Sequence, residues 1–430
     1  MIRLIYNLLF PVGLLFVLPG YLLKMRRRGN YRRNFGQRFG IYRPEVRARL
    51  AGRSFTWIHA VSVGEVVIAL KLARRMRALD PAFHCVLTTT TTTGFAVAEG
   101  ETSAWMEAIY NPLDFWPIVR RAFALIQPAR IVLVEAEVWP NLAAEARARK
   151  IPIALVNARL SGRSERRFRR FRKFAAPTFG CLDLVCVQEA EDIDRWMGLG
   201  VPRSRIQQVG SIKYDSVEAK SDATLPAEVL RSFGIDHQRP ILFGGSTHAG
   251  EEEILARVFQ RLRVEFPALI LIIAARHAER TGELRRTLEE FGLAVALRSE
   301  AEREGTAAAP DCILLDTTGE LRDWYAVATV VFMGKSLTAH GGQNPVEPIL
   351  AGKPVVFGPH MENFAAIVTR WREAGAAVQV RDPAELREQL EDLFARPERR
   401  AELARRAGEI VAAHAGATVR TVGALLAAKR

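Results

Sequence analysis

The stretch Phe55-Thr-Trp-Ile-His-Ala-Val-Ser-Val-Gly-Glu-Val-Val-Ile-Ala-Leu70 changes its period halfway along. Phe55, Trp57, Ile58, Ala60 and Val61 form a nearly uninterrupted apolar run, the pattern of a strand buried on both faces of a parallel sheet. Ser62, Val63 and Gly64 then make a small-residue turn, and Val66 to Met76 carries helix-compatible apolar spacing. Glu65 therefore stands where a strand hands over to a helix, at the carboxyl edge of the sheet, where open α/β sheets bind ligands. The position also suits an acid for a plainer reason, because the helix dipole stabilises a carboxylate in the first turn.

Working outward, the same alternation repeats. Strands are expected at 84–88, 130–135, 152–157 and 183–187, between helices at 66–79, 115–126, 141–149 and 189–198. The run Thr88 to Thr93 reads either as a strand end with a polar ligand loop or as a plain threonine-rich turn. Asp215 to Pro240 is polar and reads as a connection between domains. Pro240-Ile-Leu-Phe-Gly-Gly-Ser-Thr-His-Ala-Gly-Glu-Glu-Glu253 then restarts the pattern, with Glu251 echoing Glu65. Strands follow at 269–274, 312–315, 329–333, 354–357 and 376–380, with helices at 251–265, 282–291, 346–351, 362–374 and 383–394. Such spacing indicates βαβ units and parallel sheets. A chain of 430 residues exceeds one ordinary core. The expectation is α/β, with two Rossmann-like domains facing a cleft, residues 51–214 and 215–430, the last helix free to pack back on the first domain. The sequence carries no GxGxxG fingerprint, P-loop or HExxH motif, which argues against dinucleotide, ATPase and zincin chemistry.

The four cysteines, Cys85, Cys181, Cys186 and Cys312, show no CxxC or metal-type spacing and read as reduced thiols of a cytosolic compartment. The net charge of +14 is concentrated. Residues 1–50 carry eleven Lys or Arg against the single acid Glu45, and Arg163 to Lys173 carries seven against one. Basic patches can serve nucleic acid, but the first of these follows twenty uncharged residues, Leu4 to Leu23. That length can span a bilayer, while Asn7, Pro11, Pro19 and Gly20 also allow a kinked or interfacial helix. Lys24-Met-Arg-Arg-Arg28 comes directly after it, which speaks for an anchor with the bulk of the protein on the cytoplasmic side and for contact with anionic headgroups. Residues 1–50 are thus expected to be a membrane anchor and its basic juxtamembrane segment.

Four segments at strand ends or helix starts can carry chemistry. Glu135-Ala-Glu-Val-Trp-Pro-Asn141 places two acids two residues apart, without an obvious third metal ligand, ahead of a helix that Pro140 can start. Gly210-Ser-Ile-Lys-Tyr-Asp215 places Lys213 at the expected mouth between domains, or simply at the surface. Arg276-His277 follows the strand Leu269 to Ala274 and is placed to meet a phosphate. The longest comprises Thr317-Thr-Gly-Glu-Leu321, Gly334-Lys-Ser336, Gly341-Gly-Gln-Asn-Pro-Val-Glu-Pro348 and Phe357-Gly-Pro-His360. Its glycines permit close backbone approach, Pro345 pre-sets a helix start suited to an anion, and Glu347 can accept from ribose hydroxyls.

Together with His59 to Glu65, Asn157-Ala-Arg-Leu-Ser161, Gly245 to Glu253 and Ala275-Arg-His-Ala-Glu-Arg280, these segments resemble, in order and along nearly the whole chain, the 3-deoxy-D-manno-octulosonic acid (Kdo) transferases of lipopolysaccharide synthesis. The resemblance implies a GT-B glycosyltransferase of the inner membrane's cytoplasmic face, moving Kdo from CMP-Kdo onto the lipid A precursor, lipid IVA. It implies an N-terminal acceptor domain, a C-terminal CMP-sugar domain, Glu65 as the base, and Glu135 and Lys213 stabilising the transition state. It maps nucleotide contacts onto Arg276, His277, Thr318, Gly319, Glu320, Asn344, Pro345, Val346 and Glu347. Thr318 stands where methionine is common in that family, and residues 298–311 read as an Ala/Glu-rich insertion. A carboxylate base would speed attack by the acceptor alcohol by roughly 10²–10⁴-fold. Lys213, Arg276 and helix N-termini suit the departing phosphate, and the only DxD, Asp192-Ile-Asp194, lies in a helical pattern, so no metal or cofactor is expected. The partners expected are CMP-Kdo, the lipid A precursor and an anionic membrane surface, and no nucleic acid; the basic Arg163–Lys173 stretch suits the precursor's phosphates or a headgroup layer. A GT-B transferase using a UDP-sugar, or a catalytically inactive membrane-bound nucleotide-binding protein, are the other readings.

Overall fold

Among the described residues, fourteen strands, all paired in parallel, make two seven-stranded sheets. The structure is a computed structural model describing residues 2–27, 33–160, 162–215, 221–236, 238–302 and 309–428. The chain divides into two units, Met1–Asp215 with Gly416–Arg430, and Ser216–Ala415.

The first unit holds β1 (Phe55–His59), β2 (Cys85–Thr89), β3 (Met106–Tyr110), β4 (Pro128–Val134), β5 (Ile153–Ala158), β6 (Leu184–Val187) and β7 (Ile206–Gln208), in the order β3-β2-β1-β4-β5-β6-β7. Trp57 is in register with Val86 on one side and Ile131 on the other. Both faces of this sheet are covered, so successive residues enter different cores. Trp57, Ile131 and Leu133 pack with Phe123 and Trp196, whereas Ile58, Val132 and Val134 pack with Val66, Leu72 and, from the C-terminal helix Ala417–Ala427, Val422 and Leu425. This double burial is why the strands read as apolar runs rather than alternations.

The second unit holds β8 (Ile241–Thr247), β9 (Ile270–Ala275), β10 (Val295–Leu297), β11 (Cys312–Leu314), β12 (Val330–Met333), β13 (Val355–Phe357) and β14 (Val378–Gln379), ordered β10-β11-β9-β8-β12-β13-β14. In the first sheet the chain works outward from β1 to β3, and in the second it passes from β9 to the edge strand β10 and fills in β11 between them; each then returns to the other side of its first strand. The strand order therefore reverses at β1/β4 and at β8/β12, the topological switch points where open sheets leave a crevice for ligands.

Several expectations need correcting. The edge strands β3, β7 and β10 were not foreseen, nor was the helix Pro397–Ala412, whereas the last helix, Ala417–Ala427, packs on the first unit. The polar stretch 215–240 is no plain connection: Thr224–Ser232 is a helix with Pro226, Val229 and Leu230 buried, and residues 216–220 lie outside the described residues. The threonine run is the end of β2 and the turn that follows it. Thr88 and Thr89 are buried in β2, and Thr91 caps the helix Thr92–Gly100 through its side chain. Of the Ala/Glu-rich stretch, Arg298–Glu302 is a short 3₁₀ helix, and residues 303–308 lie outside the described residues.

The uncharged N-terminal segment forms one helix, Ile2–Arg27, continuing through Pro11, Pro19 and Gly20. Its first turns dock polar-first: Arg3 and Asn7 donate to Asn141 Oδ1 (3.0 and 2.9 Å), Asn7 Oδ1 accepts from the Trp116 N–H (3.3 Å), and Phe10 stacks on Phe115. Leu4, Leu8, Leu9, Leu15 and Phe16 remain exposed. Of the basic cluster that follows, residues 28–32 lie outside the described residues.

Candidate active site

The turn after β1 is a capping box. The Ser62 hydroxyl accepts from the Glu65 N–H, and the Glu65 carboxylate accepts from the N–H groups of Val61 (2.9 Å) and Ser62 (3.3 Å) and from the Ser62 hydroxyl (2.9 Å). These three donors start the helix Val63–Leu79 and hold a nearly buried carboxylate still. A carboxylate has about four lone-pair sites, so acceptor capacity remains. The threonines brace this turn from behind: Thr89 and Thr91 donate their hydroxyls to the Val61 carbonyl (3.1 and 3.0 Å). Gly94 makes that brace possible, since a Cβ there would lie 2.7 Å from Thr89 Oγ1 and 2.8 Å from Thr91 Oγ1.

Across the switch point, β4 is followed directly by Glu135, a non-glycine residue in the left-handed region (φ 63°). Its N–H donates to the Val156 carbonyl (3.0 Å), so the chain turns out of the sheet while keeping its ladder partner. Such a conformation costs on the order of 1 kcal/mol or more, and it directs the residues after Val134 out over the sheet edge. Burial pushes the Glu135 carboxyl up, and the charge of Glu65 adds to this, against Arg159 and Lys213. Glu137 is pushed up further, to about 7, by burial and then by Glu65 and Glu135. Burial lowers the Lys213 ammonium; Glu135 opposes this and Arg159 reinforces it. Glu65, Glu135, Glu137, Arg159 and Lys213 thus share one electrostatic neighbourhood around the ends of β1, β4 and β5.

The Lys213 turn is fastened on three sides. Asn157, left-handed at φ 51°, accepts through Oδ1 from the Ile212 N–H (3.0 Å) and the Ser211 hydroxyl. Lys71 donates to the Asp215 carbonyl (3.0 Å). Asp215 accepts from the N–H groups of Gly416 (2.9 Å) and Thr418 (2.6 Å), capping the C-terminal helix.

In the second unit the expected nucleotide contacts lie along four adjacent strand ends. Arg276 and His277 follow β9, Thr318 to Glu320 follow β11, and Asn344 to Glu347 follow β12, with β8 between β9 and β12. The His277 ring lies 5.9 Å from that of His248 in an edge-on pair, and His277 Nδ1 is 3.2 Å from Glu279. Thr318 and Gly319 (φ 91°) are exposed. The Glu320 carboxylate accepts from Arg298 (3.0 Å) and Trp324 (3.3 Å). Asn344 accepts from the Val346 N–H (3.1 Å) and donates to Glu347 Oε1 (2.9 Å), which organises the helix start just after Pro345. Glu251 is fully buried and accepts from the N–H groups of His248, Lys335, Ser336 and Leu337 (2.7–3.0 Å). The loops it joins are in backbone contact: a Cβ at Gly334 would lie 2.4 Å from the Ser246 carbonyl oxygen.

A family model described as 3-deoxy-D-manno-octulosonic-acid transferase matches residues 33–216. A 3-deoxy-D-manno-octulosonic acid transferase of Haemophilus influenzae is 31% identical over 92% of this chain and 91% of its own length. The chain belongs to this transferase family. A second such transferase, from Bordetella pertussis, is 35% identical over 90% of each chain. A solved glycosyltransferase from Rickettsia africae is alike in fold, with a TM-score of 0.52 at 8% identity, covering 86% of this chain and 97% of its own. The Kdo transferase described here is accordingly a glycosyltransferase with two parallel-sheet α/β domains of the GT-B type.

In this transferase the sequence-predicted Glu65, Glu135 and Lys213 share one electrostatic neighbourhood, and the expected nucleotide contacts follow strands β9, β11 and β12 of the second sheet. Glu137 and Arg159 belong to segments singled out in the sequence but were given no role; their position after β4 and β5 was the available signal. Glu251 was seen as an echo of Glu65, not as a rivet between loops. The DxD is no chelating pair: Asp192 is buried against Arg195 (2.9 Å), while Asp194 is exposed.

Proposed function

We propose that this transferase moves Kdo from CMP-Kdo onto lipid IVA, with inversion at the anomeric carbon and without a metal in the transfer step. Glu65 takes the proton of the acceptor hydroxyl as the bond to the sugar forms and the bond to the phosphate breaks. Glu135 and Lys213 stabilise the transition state, the first toward the oxocarbenium-like sugar and the second toward the departing CMP. Arg276, His277, Thr318, Gly319, Glu320 and the Asn344–Glu347 helix start hold the nucleotide, which assigns the donor to the second unit and the acceptor to the first. The enzyme works at the cytoplasmic face of the inner membrane, against anionic lipid; the exposed apolar residues of the N-terminal helix and the basic helix Gly162–Arg170 support this reading.

The observation that carries this reading is the convergence of Glu65, Glu135 and Lys213 at the β1/β4 switch point, with a carboxylate held by its own turn yet retaining acceptor capacity. The test is Kdo transfer from CMP-Kdo to a tetraacylated lipid A precursor, in detergent with EDTA. Wild type should form product, and Glu65→Ala should lose about 10²-fold or more. An active Glu65→Ala would remove Glu65 as base. Absent wild-type product would redirect attention to UDP-sugars, or to a nucleotide-binding role without turnover.

A further inference from the structure

We propose that His340, His360 and Glu362 form a site for one divalent transition metal, zinc by ligand chemistry, which clasps the two loops that follow β12 and β13. Glu362 Oε1 lies 3.2 Å from His340 Nδ1 and 3.5 Å from His360 Nδ1, and the three ligand atoms all lie within 4.8 Å of one another. The His340 contact is a hydrogen bond at the long end of the N–H···O range, and the His360 separation lies beyond it. They match another geometry. Ligands bound at about 2.0–2.2 Å to a shared tetrahedral centre stand roughly 3.4 Å apart.

The ligands are oriented from outside, as metal ligands are. The Gly341 N–H donates to Glu362 Oε2 (2.7 Å), leaving Oε1 as the oxygen nearest both imidazoles. The loops are sewn together by their backbones: the Asn363 N–H donates to the Gly341 carbonyl (3.0 Å), and that of His360 to the Ser336 carbonyl (3.0 Å). Gly341 is at φ 113°, and a Cβ there would lie 2.8 Å from Asn363 Nδ2, so this approach needs glycine. Two imidazoles and one carboxylate select zinc, cobalt or nickel over the oxygen-seeking magnesium and calcium. His340 and Glu362 are exposed, which leaves an entry path and room for water as a fourth ligand. A metal here takes no part in the transfer; it stiffens Gly341–Gln343, the segment leading into Asn344.

The test uses the untagged full-length chain in detergent, in a Cys181→Ser background so that the one partly exposed thiol does not contribute. After stripping with EDTA and dialysis, zinc binding is measured by equilibrium dialysis with metal analysis, and cobalt binding by its visible ligand-field absorption. The expected result is one zinc per chain and a tetrahedral cobalt spectrum, with affinity lowered at least about tenfold in His340→Ala and in Glu362→Gln. Both altered side chains are exposed, so neither variant should unfold. Less than half an equivalent of zinc on the wild type overturns the proposal, as does a full equivalent that both variants retain, or magnesium binding at the same site with equal affinity.

Discussion

The turns after β1 and β8 share one sequence grammar, a buried strand, a small-residue turn and a glutamate at the helix start, yet their glutamates do opposite work. Glu65 takes its three donors from its own turn, keeps acceptor capacity to spare, and sits at the sheet edge among Glu135, Glu137, Arg159 and Lys213. Glu251 has one donor from its own turn, His248, and three from the loop after β12, and is fully buried. The difference teaches that a carboxylate at a strand end braces its own turn or rivets distant loops according to where its lone pairs go. Sequence position alone does not decide it.

The same substitution at both positions is the strongest way to break this comparison. Glu251→Gln should leave two of the four converging N–H groups unmet, at about 1–3 kcal/mol each, hence a loss of roughly 2–6 kcal/mol. Glu65→Gln, whose donors are local and can turn to water, should cost within about 1 kcal/mol. Denaturant unfolding of the two variants checks this; similar losses would erase the distinction. Ser62→Ala removes the cap that Glu65 reciprocates and should cost about 1 kcal/mol of stability. If Glu65 is held in place by its turn, the variant should also lower kcat more than it raises KM; an unchanged kcat would mean that the turn does not position it.

The smallest effect is expected at Glu137. Its carboxyl is raised to about 7, so it is neutral below that pH and negative above it, where its charge adds to those facing a cationic transition state. The rate of transfer should therefore rise through about pH 7 in wild type, and Glu137→Gln should flatten that rise while changing the rate at lower pH little. A limb near pH 7 that survives the substitution would belong to another group.

Central strands were legible in the sequence, and of the edges only β14 was. β1, β4, β8 and β9 lie between neighbours with both faces covered, and their apolar runs are unmistakable. β3 carries Glu107, paired with Arg49 (2.6 Å); β7 is Ile-Gln-Gln; β10 has three residues. An edge strand has one hydrogen-bonded flank and tolerates polar residues, so its pattern fades. At the site, Glu65 and the Asn344–Glu347 pair were readable because their bonds span three residues. The bonds from Asn157 to Ile212 and from Asp215 to Thr418 span 55 and 203 residues, and nothing local announces them. Glu320 is tied to Arg298, a residue read as the start of an insertion, for the same reason.

The bond between Asp215 and the N–H of Thr418 has a consequence for the order in which the protein can be finished. On the ribosome the second unit, Ser216–Ala415, is synthesised before the helix Ala417–Ala427 of the first unit exists. Until then the Lys213 turn lacks one of its three fastenings, and Ile58, Val66 and Leu72 lack the cover of Val422 and Leu425. The first half translated is thus the second half completed, and a nascent chain acquires its full constellation of Glu65, Glu135 and Lys213 only once the helix Ala417–Ala427 has followed the second unit.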